Sequence, residues 1–198
     1  MNAQEPTERL VAAAQGGDTE ARERLFARYL PRVCAMVAMR LGVPRAALPA
    51  RAEDMAQDAL VRALTGLDRF EMRSTGAFAA WMATIVLNCV RRQRRRSGNG
   101  RERALWQRYG DLELHESFFA AAGPSPSRIA AGREWNGRVE AALLRLPALY
   151  REALSLRYLG QLSHAELAQQ LGRTEANCRK IVQRGMVMLE AALARDTV

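Results

Sequence analysis

Lysine is nearly absent from this 198-residue chain: Lys180 stands alone beside 29 arginines. Acidic residues are also the minority, 21 against 30 basic ones, which leaves a formal charge of +9 and a pI near 10.6. Cysteine is scarce. Cys34, Cys89 and Cys178 lie far apart, form no C-x-x-C pair and do not cluster with either histidine, so neither a disulfide framework nor a zinc site is expected. No apolar run reaches about 18 residues, which excludes a membrane-spanning helix. Met1–Leu10 carries Glu5 and Glu8 without an apolar stretch, so no secretory leader is expected and the default is an intracellular, cytoplasmic protein. Paired carboxylates, a nucleophile beside a base, a metal-ligand cluster and a Gly-rich phosphate loop are missing too. An enzyme is therefore not expected, nor is a cofactor or a metal.

Against these absences stand 48% hydrophobic and 26% charged residues, a globular composition. The length suits one large domain or two small ones. The positive charge predicts affinity for polyanions, nucleic acid first among them, but an arginine-rich coding bias produces the same total. Placement has to decide. Before Gly100 there are 16 basic and 10 acidic residues, a net of +6; after it there are 14 and 11, a net of +3. The densest cluster is Arg91, Arg92, Arg94, Arg95 and Arg96, followed by Ser97-Gly98-Asn99-Gly100. A second breaker stretch, Ala-Ala-Gly-Pro-Ser-Pro-Ser, spans Ala121–Ser127, and residues 97–127 read as a flexible linker.

Every periodic segment reads as helix, so the fold class is all-α: two helical domains joined by that linker. Asp18 is placed to cap a helix from Thr19 to about Leu41, with Leu25, Tyr29, Val33 and Met36 inward and Pro31 as a kink. A helix over Arg51–Leu67 has Ala56, Leu60, Ala63 and Leu67 on one face. Asp54, Gln57, Asp58 and Val61 lie on the other. On a helix over Thr75–Arg96, about 100° per residue puts Phe78, Met82, Ile85 and Cys89 on one buried stripe. Trp81, Thr84, Asn88, Arg91, Arg92 and Arg95 share another face. That set suits nucleic acid, since a ring stacks on bases, guanidiniums neutralise phosphates and an amide reads a base edge. The alternative that Trp81 packs against a neighbouring helix stays open.

After the linker, helices are expected over Arg128–Leu146, Ala148–Leu159, Ser163–Leu171 and Thr174–Leu193. The last two read as a helix-turn-helix. Ser163 and Glu166 make a capping box, Gly172 supplies a left-handed turn residue, and Thr174 caps the second helix, with Cys178, Val182, Gly185 and Leu189 inward. Such a second helix enters the major groove N-terminus first, presenting Arg173, Thr174, Glu175, Asn177, Arg179, Lys180 and Arg184. Arg and Lys suit guanine, Asn adenine, and Glu accepts from cytosine. His164 is expected to be an exposed first-turn residue without a ligand role.

Together these pieces resemble the extracytoplasmic-function group of bacterial sigma factors. Ala52–Arg62 and Phe78–Asn88 with the arginines after it are similar to sigma region 2, and Leu146–Tyr158 with the helix-turn-helix is similar to region 4. The resemblance implies domains at 1–96 and 128–198 around the 97–127 linker. It implies a partner, core RNA polymerase, with Asp54, Gln57, Asp58 and Arg62 on the face that meets the β′ clamp. Trp81, Thr84, Asn88, Arg91, Arg92 and Arg95 would then meet the −10 element, and the loop Arg69–Gly76 would take a flipped base. Region 4 would bind the β flap and read the −35 element from Arg173 to Arg184. An anti-sigma partner is also implied, and a membrane is not. Two departures are expected to matter: Ile181, where the group often carries a polar or basic residue, and Gly185, whose helix cost is about 1 kcal/mol. The stretch Gly42–Arg51 is also longer than in many relatives. The alternative is a stand-alone helix-turn-helix regulator whose N-terminal domain senses a ligand or dimerises.

Overall fold

The computed structural model describes residues 5–96 and 137–195; the linker and residues 128–136 of the expected helix lie outside the described residues. The chain begins with a helix that periodicity did not single out, α1 (Thr7–Gln15), too short to show more than one stripe of Leu10, Val11 and Ala14. Its last residue has a structural use: the Gln15 amide donates to the carbonyls of Leu67 and Phe70, at 2.8 and 2.7 Å, and pins the loop there.

Helix α2 (Thr19–Leu41) starts and stops where its caps predict. The Asp18 carboxylate accepts from the Ala21 N–H at 3.0 Å, Gly42 turns left-handed at φ +73°, and the helix runs through Pro31 unbroken. Its first half is amphipathic, with Ala21, Leu25, Tyr29 and Val33 buried. From Ala35 to Met39 every residue is buried. A helix becomes apolar all round when neighbours cover more than one side, and α2 packs on N-terminal helices on one side and C-terminal ones on another.

Helix α3 (Ala50–Gly66) buries small residues, Ala52, Ala56, Ala59 and Ala63, together with Met55, while Leu60 is half-buried. Helix α4 (Ala77–Arg96) buries Phe78, Met82 and Cys89 as expected, but Ile85 is only half-buried. The buried surface also takes in Ala79, Ala83, Val86 and Val90. The single stripe is thus corrected to a central helix flanked on several sides.

The C-terminal helices are α5 (137–145), α6 (Ala148–Leu154), α7 (His164–Leu171) and α8 (Glu175–Arg195). The helix expected over Ala148–Leu159 is α6 followed by a π-turn, Ser155–Leu159, in which the Gly160 N–H reaches back to the Ser155 carbonyl at 3.0 Å. The capping box at Ser163 and Glu166 forms, and Gly172 takes φ +63°. Gly185 is no simple loss: a Cβ there would stand 3.2 Å from the Leu154 side chain, so glycine lets α6 and α8 approach closely.

The two helical sets share one apolar core. Charged groups tie them at its edge. Arg151, 4% exposed, donates from Nε to the Met39 carbonyl of α2 at 3.1 Å and from Nη1 to the carbonyls of Leu144 and Leu146. Fully buried Glu140 accepts from the Arg45 backbone N–H at 2.7 Å, and Arg40 pairs with Glu152. Buried charge persists only where it is paired in this way.

Loss of the capping box, in Ser163→Ala, is expected to cost about 1 kcal/mol in urea unfolding. An unchanged midpoint would contradict the cap's contribution.

Candidate nucleic-acid interface

Helix α4 carries the first candidate face. Trp81 is half-buried, its ring tilted 34° against Phe70 at 4.8 Å and lying 5.5 Å from Phe78. Gly66 makes room for it, since a Cβ there would stand 3.2 Å from the indole Cζ2. The indole therefore both packs on its own module and keeps part of its surface in solvent, a rigid platform held from behind. Thr84 is half-buried and bonds back to the Ala80 carbonyl at 3.0 Å, while Asn88 and Arg92 are exposed. Arg91 differs from expectation. Its guanidinium is half-buried and donates to the Gln170 side chain at 3.0 Å and to the Gln170 carbonyl at 2.7 Å, tying α4 to α7. The Arg95 side chain lies outside the described residues.

Beside this face runs a cleft of about 800 Å³. Arg69, Arg73, Trp81 and Thr84 line one side, and residues of α7 and α8, among them His164 and Glu175, line the other. His164 is half-buried there, a correction to its expected exposure.

The start of α8 is the second candidate face. Arg173, Thr174, Glu175, Asn177, Arg179, Lys180 and Arg184 are all exposed, as the helix-turn-helix reading requires. The Thr174 hydroxyl accepts from the Asn177 N–H at 3.3 Å, and Arg179 pairs with Glu175 one turn before it. Ile181 is 6% exposed and belongs to the core, so the phosphate contact expected to be lost at this position is not one the position could offer. Cys178 is fully buried, and burial pushes its thiol pKa up.

On α3, Asp54, Gln57, Asp58 and Arg62 are exposed together. Arg62 donates to Asp58 at 2.9 Å and holds that carboxyl below its ordinary 3.8. Behind them, burial and then the Asp58 charge push the Cys89 thiol up to about 11. Val61 and Leu64 are 57% and 41% exposed on the same helix, large apolar side chains left in solvent. Leu64 was missed in the sequence, although its i+3 spacing from Val61 was there to be read. Glu140 and Arg151 were missed because periodicity does not flag a charge that belongs in a core. Among the described residues no His/Cys/Asp/Glu group of three could hold a metal, and no helix is long and apolar enough to cross a membrane.

Known families match both helical sets. Residues 25–100 match the model for sigma-70 region 2, and residues 136–189 match sigma-70 region 4. The chain is 32% identical to the ECF RNA polymerase sigma factor SigD of Mycobacterium tuberculosis, over 91% of this chain and 81% of that one. It is 28% identical to the ECF RNA polymerase sigma factor BldN of Streptomyces coelicolor, covering 94% of this chain. It spans 66% of the length of BldN and 53% of SigE from Mycolicibacterium smegmatis. Among solved structures, the sigma factor RpoE of Bartonella quintana, crystallised with the anti-sigma factor NepR, is 26% identical with a TM-score of 0.54. That match covers 87% of this chain and 96% of that one.

The buried thiol gives a test. Cys89 ionises at an ordinary 9.0 when unfolded but near 11 when folded, so its contribution to stability is complete below pH 9 and fades as pH climbs towards 11. Near pH 8, iodoacetamide is expected to label half-buried Cys34 first and to reach Cys89 and Cys178 only on unfolding. Early labelling of Cys89 in the native chain would contradict its placement.

Proposed function

The chain belongs to the extracytoplasmic-function group of the sigma-70 family of RNA polymerase sigma factors, and from that premise we propose that it gives core polymerase its promoter choice without chemistry of its own. The observation that supports this most is the presence of two DNA-compatible faces on separate helical sets. One is an aromatic platform with polar and basic neighbours on α4, the other an exposed polar N-terminus on the recognition helix α8.

In this reading the domain over 1–96 binds polymerase and the −10 element, 97–127 links, and 128–198 reads the −35 element. Asp54, Gln57, Asp58 and Arg62, with the apolar Val61 and Leu64 beside them, meet the β′ clamp; apolar anchors rimmed by charge are what a protein interface needs. Trp81 stacks against the upstream edge of the melted −10 strand, Thr84 and Asn88 line its path, and Arg91, Arg92 and Arg95 neutralise phosphates. The loop Arg69–Gly76 beside the cleft takes an unstacked base. Arg173, Asn177, Arg179, Lys180 and Arg184 approach the −35 major groove, with Thr174 and Glu175 at the helix end nearest the DNA, while the same domain meets the β flap. Promoter DNA and core polymerase make the site of action cytoplasmic. An anti-sigma factor is a further partner, by likeness to the Bartonella protein crystallised with one. A stand-alone regulator would leave the α3 and α4 faces without a use.

Run-off transcription with core polymerase is the test: the chain should direct initiation from a subset of promoters, and failure to bind core while binding duplex DNA as a dimer would overturn the reading. Trp81→Ala should impair promoter opening more than closed-complex formation, read by permanganate footprinting beside gel shift; equal loss in both would argue against a melting role. Asn177→Ala or Lys180→Ala should relax −35 preference by about 1–3 kcal/mol at one base pair. A uniform loss across promoters would instead make them phosphate contacts.

A further inference from the structure

The loop Arg69–Gly76 does little to hold its own shape. Among the described residues, the backbones of Glu71, Met72 and Arg73 bond to no other backbone group. The course of the loop is therefore set at its ends and by Met72, which is half-buried against the core. One end runs into α4 at Ala77. The other end is held by a residue from a different helix. The side-chain amide of Gln15 donates to the Leu67 carbonyl at 2.8 Å and to the Phe70 carbonyl at 2.7 Å. An amide nitrogen carries two hydrogens, so these two bonds use its full donor capacity.

The turn that Gln15 grips also stands beside Trp81. Gly66 leaves room for the indole, whose Cζ2 would lie 3.2 Å from a Cβ there, and the Phe70 ring lies 4.8 Å from the indole. The Phe70 N–H closes the turn onto the Leu67 carbonyl at 3.0 Å. Gly66–Phe70 is thus held both by the Gln15 amide and by the aromatic platform. Gln15 itself stands on a fixed base. Arg22 Nη2 donates to the Ala14 carbonyl at 3.1 Å, the Asp18 N–H donates to the Ala13 carbonyl at 3.0 Å, and Ala14 is fully buried. Gln15 is exposed, and hydrogen bonds that compete with water add little to folding. Their use is to select one course for the loop that follows.

We propose that Gln15 is a positioning residue for −10 recognition: through the Leu67 and Phe70 carbonyls it sets the mouth of the loop that takes the unstacked base, and so governs which base is accepted. The proposal rests on the assignment of base capture to Arg69–Gly76. Gln15 lies before residue 25, where the match to sigma-70 region 2 begins.

The test uses holoenzyme assembled from the full chain and core polymerase, with single-stranded −10 oligonucleotides carrying each of the four bases at each position in turn. Gln15→Met keeps the length and helix propensity of the side chain and loses both donors. Discrimination at one position is expected to fall about tenfold, the worth of two such bonds. Discrimination at the other positions, and binding to core, should not change. Gln15→Lys brings donors back and should restore the lost discrimination. The readout is the ratio between bases, because an added lysine charge raises affinity for all four alike.

Unchanged discrimination in Gln15→Met overturns the proposal. So does an equal loss at every position or weaker binding to core, either of which would make Gln15 a structural brace alone. A loss that Gln15→Lys does not restore overturns it as well. Arg73→Ala with Ser74→Ala, inside the loop, separates this role from the assignment beneath it. If the loop change alters discrimination and Gln15→Met does not, base capture stands and the positioning role falls. If neither alters it, the loop is not the reader, and the proposal falls with that assignment.

Discussion

A guanidinium with almost no solvent to itself organises this molecule. Arg151 sits on α6, yet it spends its donors on the carbonyls of Met39, Leu144 and Leu146, two from the end of its own neighbour helix and one from α2. A buried cation without such acceptors would be untenable, so the position of α6 against α2 is set by where those carbonyls point. The consequences spread from there. The second half of α2 is buried all round, α4 becomes a central helix in place of an edge one, and Glu140 and Glu152 find partners in Arg45 and Arg40.

The same packing brings the α4 face and the start of α8 to one cleft, and the Arg91 guanidinium is held by Gln170. The net charge of +9 therefore does not act as one field. Part of it is committed to structure in Arg151, part is held between the two helical sets in Arg40 and Arg91, and the remainder, such as Arg92 and Lys180, faces solvent.

Local signals carried most of the fold into the sequence. Asp18 and Gly42 bound α2, Ser163 with Glu166 starts α7, and Gly172 with Thr174 makes the turn, because caps and turns act within a few residues. The α3 exposed face and the α8 tip were also legible, since their exposure follows from helical phase. What depended on distant packing was not. The single stripe drawn on α4 missed Ala79, Ala83, Val86 and Val90, because phase cannot say how many neighbours a helix has. Ile181 looked like a lost DNA contact and is a core residue; Gly185 looked like a cost and is a close helix crossing. Arg91 was grouped with the Trp81 face by helical phase, while its pairing with Gln170 joins positions 79 residues apart and leaves no mark in a local pattern.

The central claim is that the buried Arg151 guanidinium fixes α6 against α2. The most direct measurement is urea unfolding of Arg151→Met beside the wild-type chain. A loss of about 3 kcal/mol is expected, since three buried carbonyls lose their donor. A midpoint unchanged from the wild type would contradict the claim.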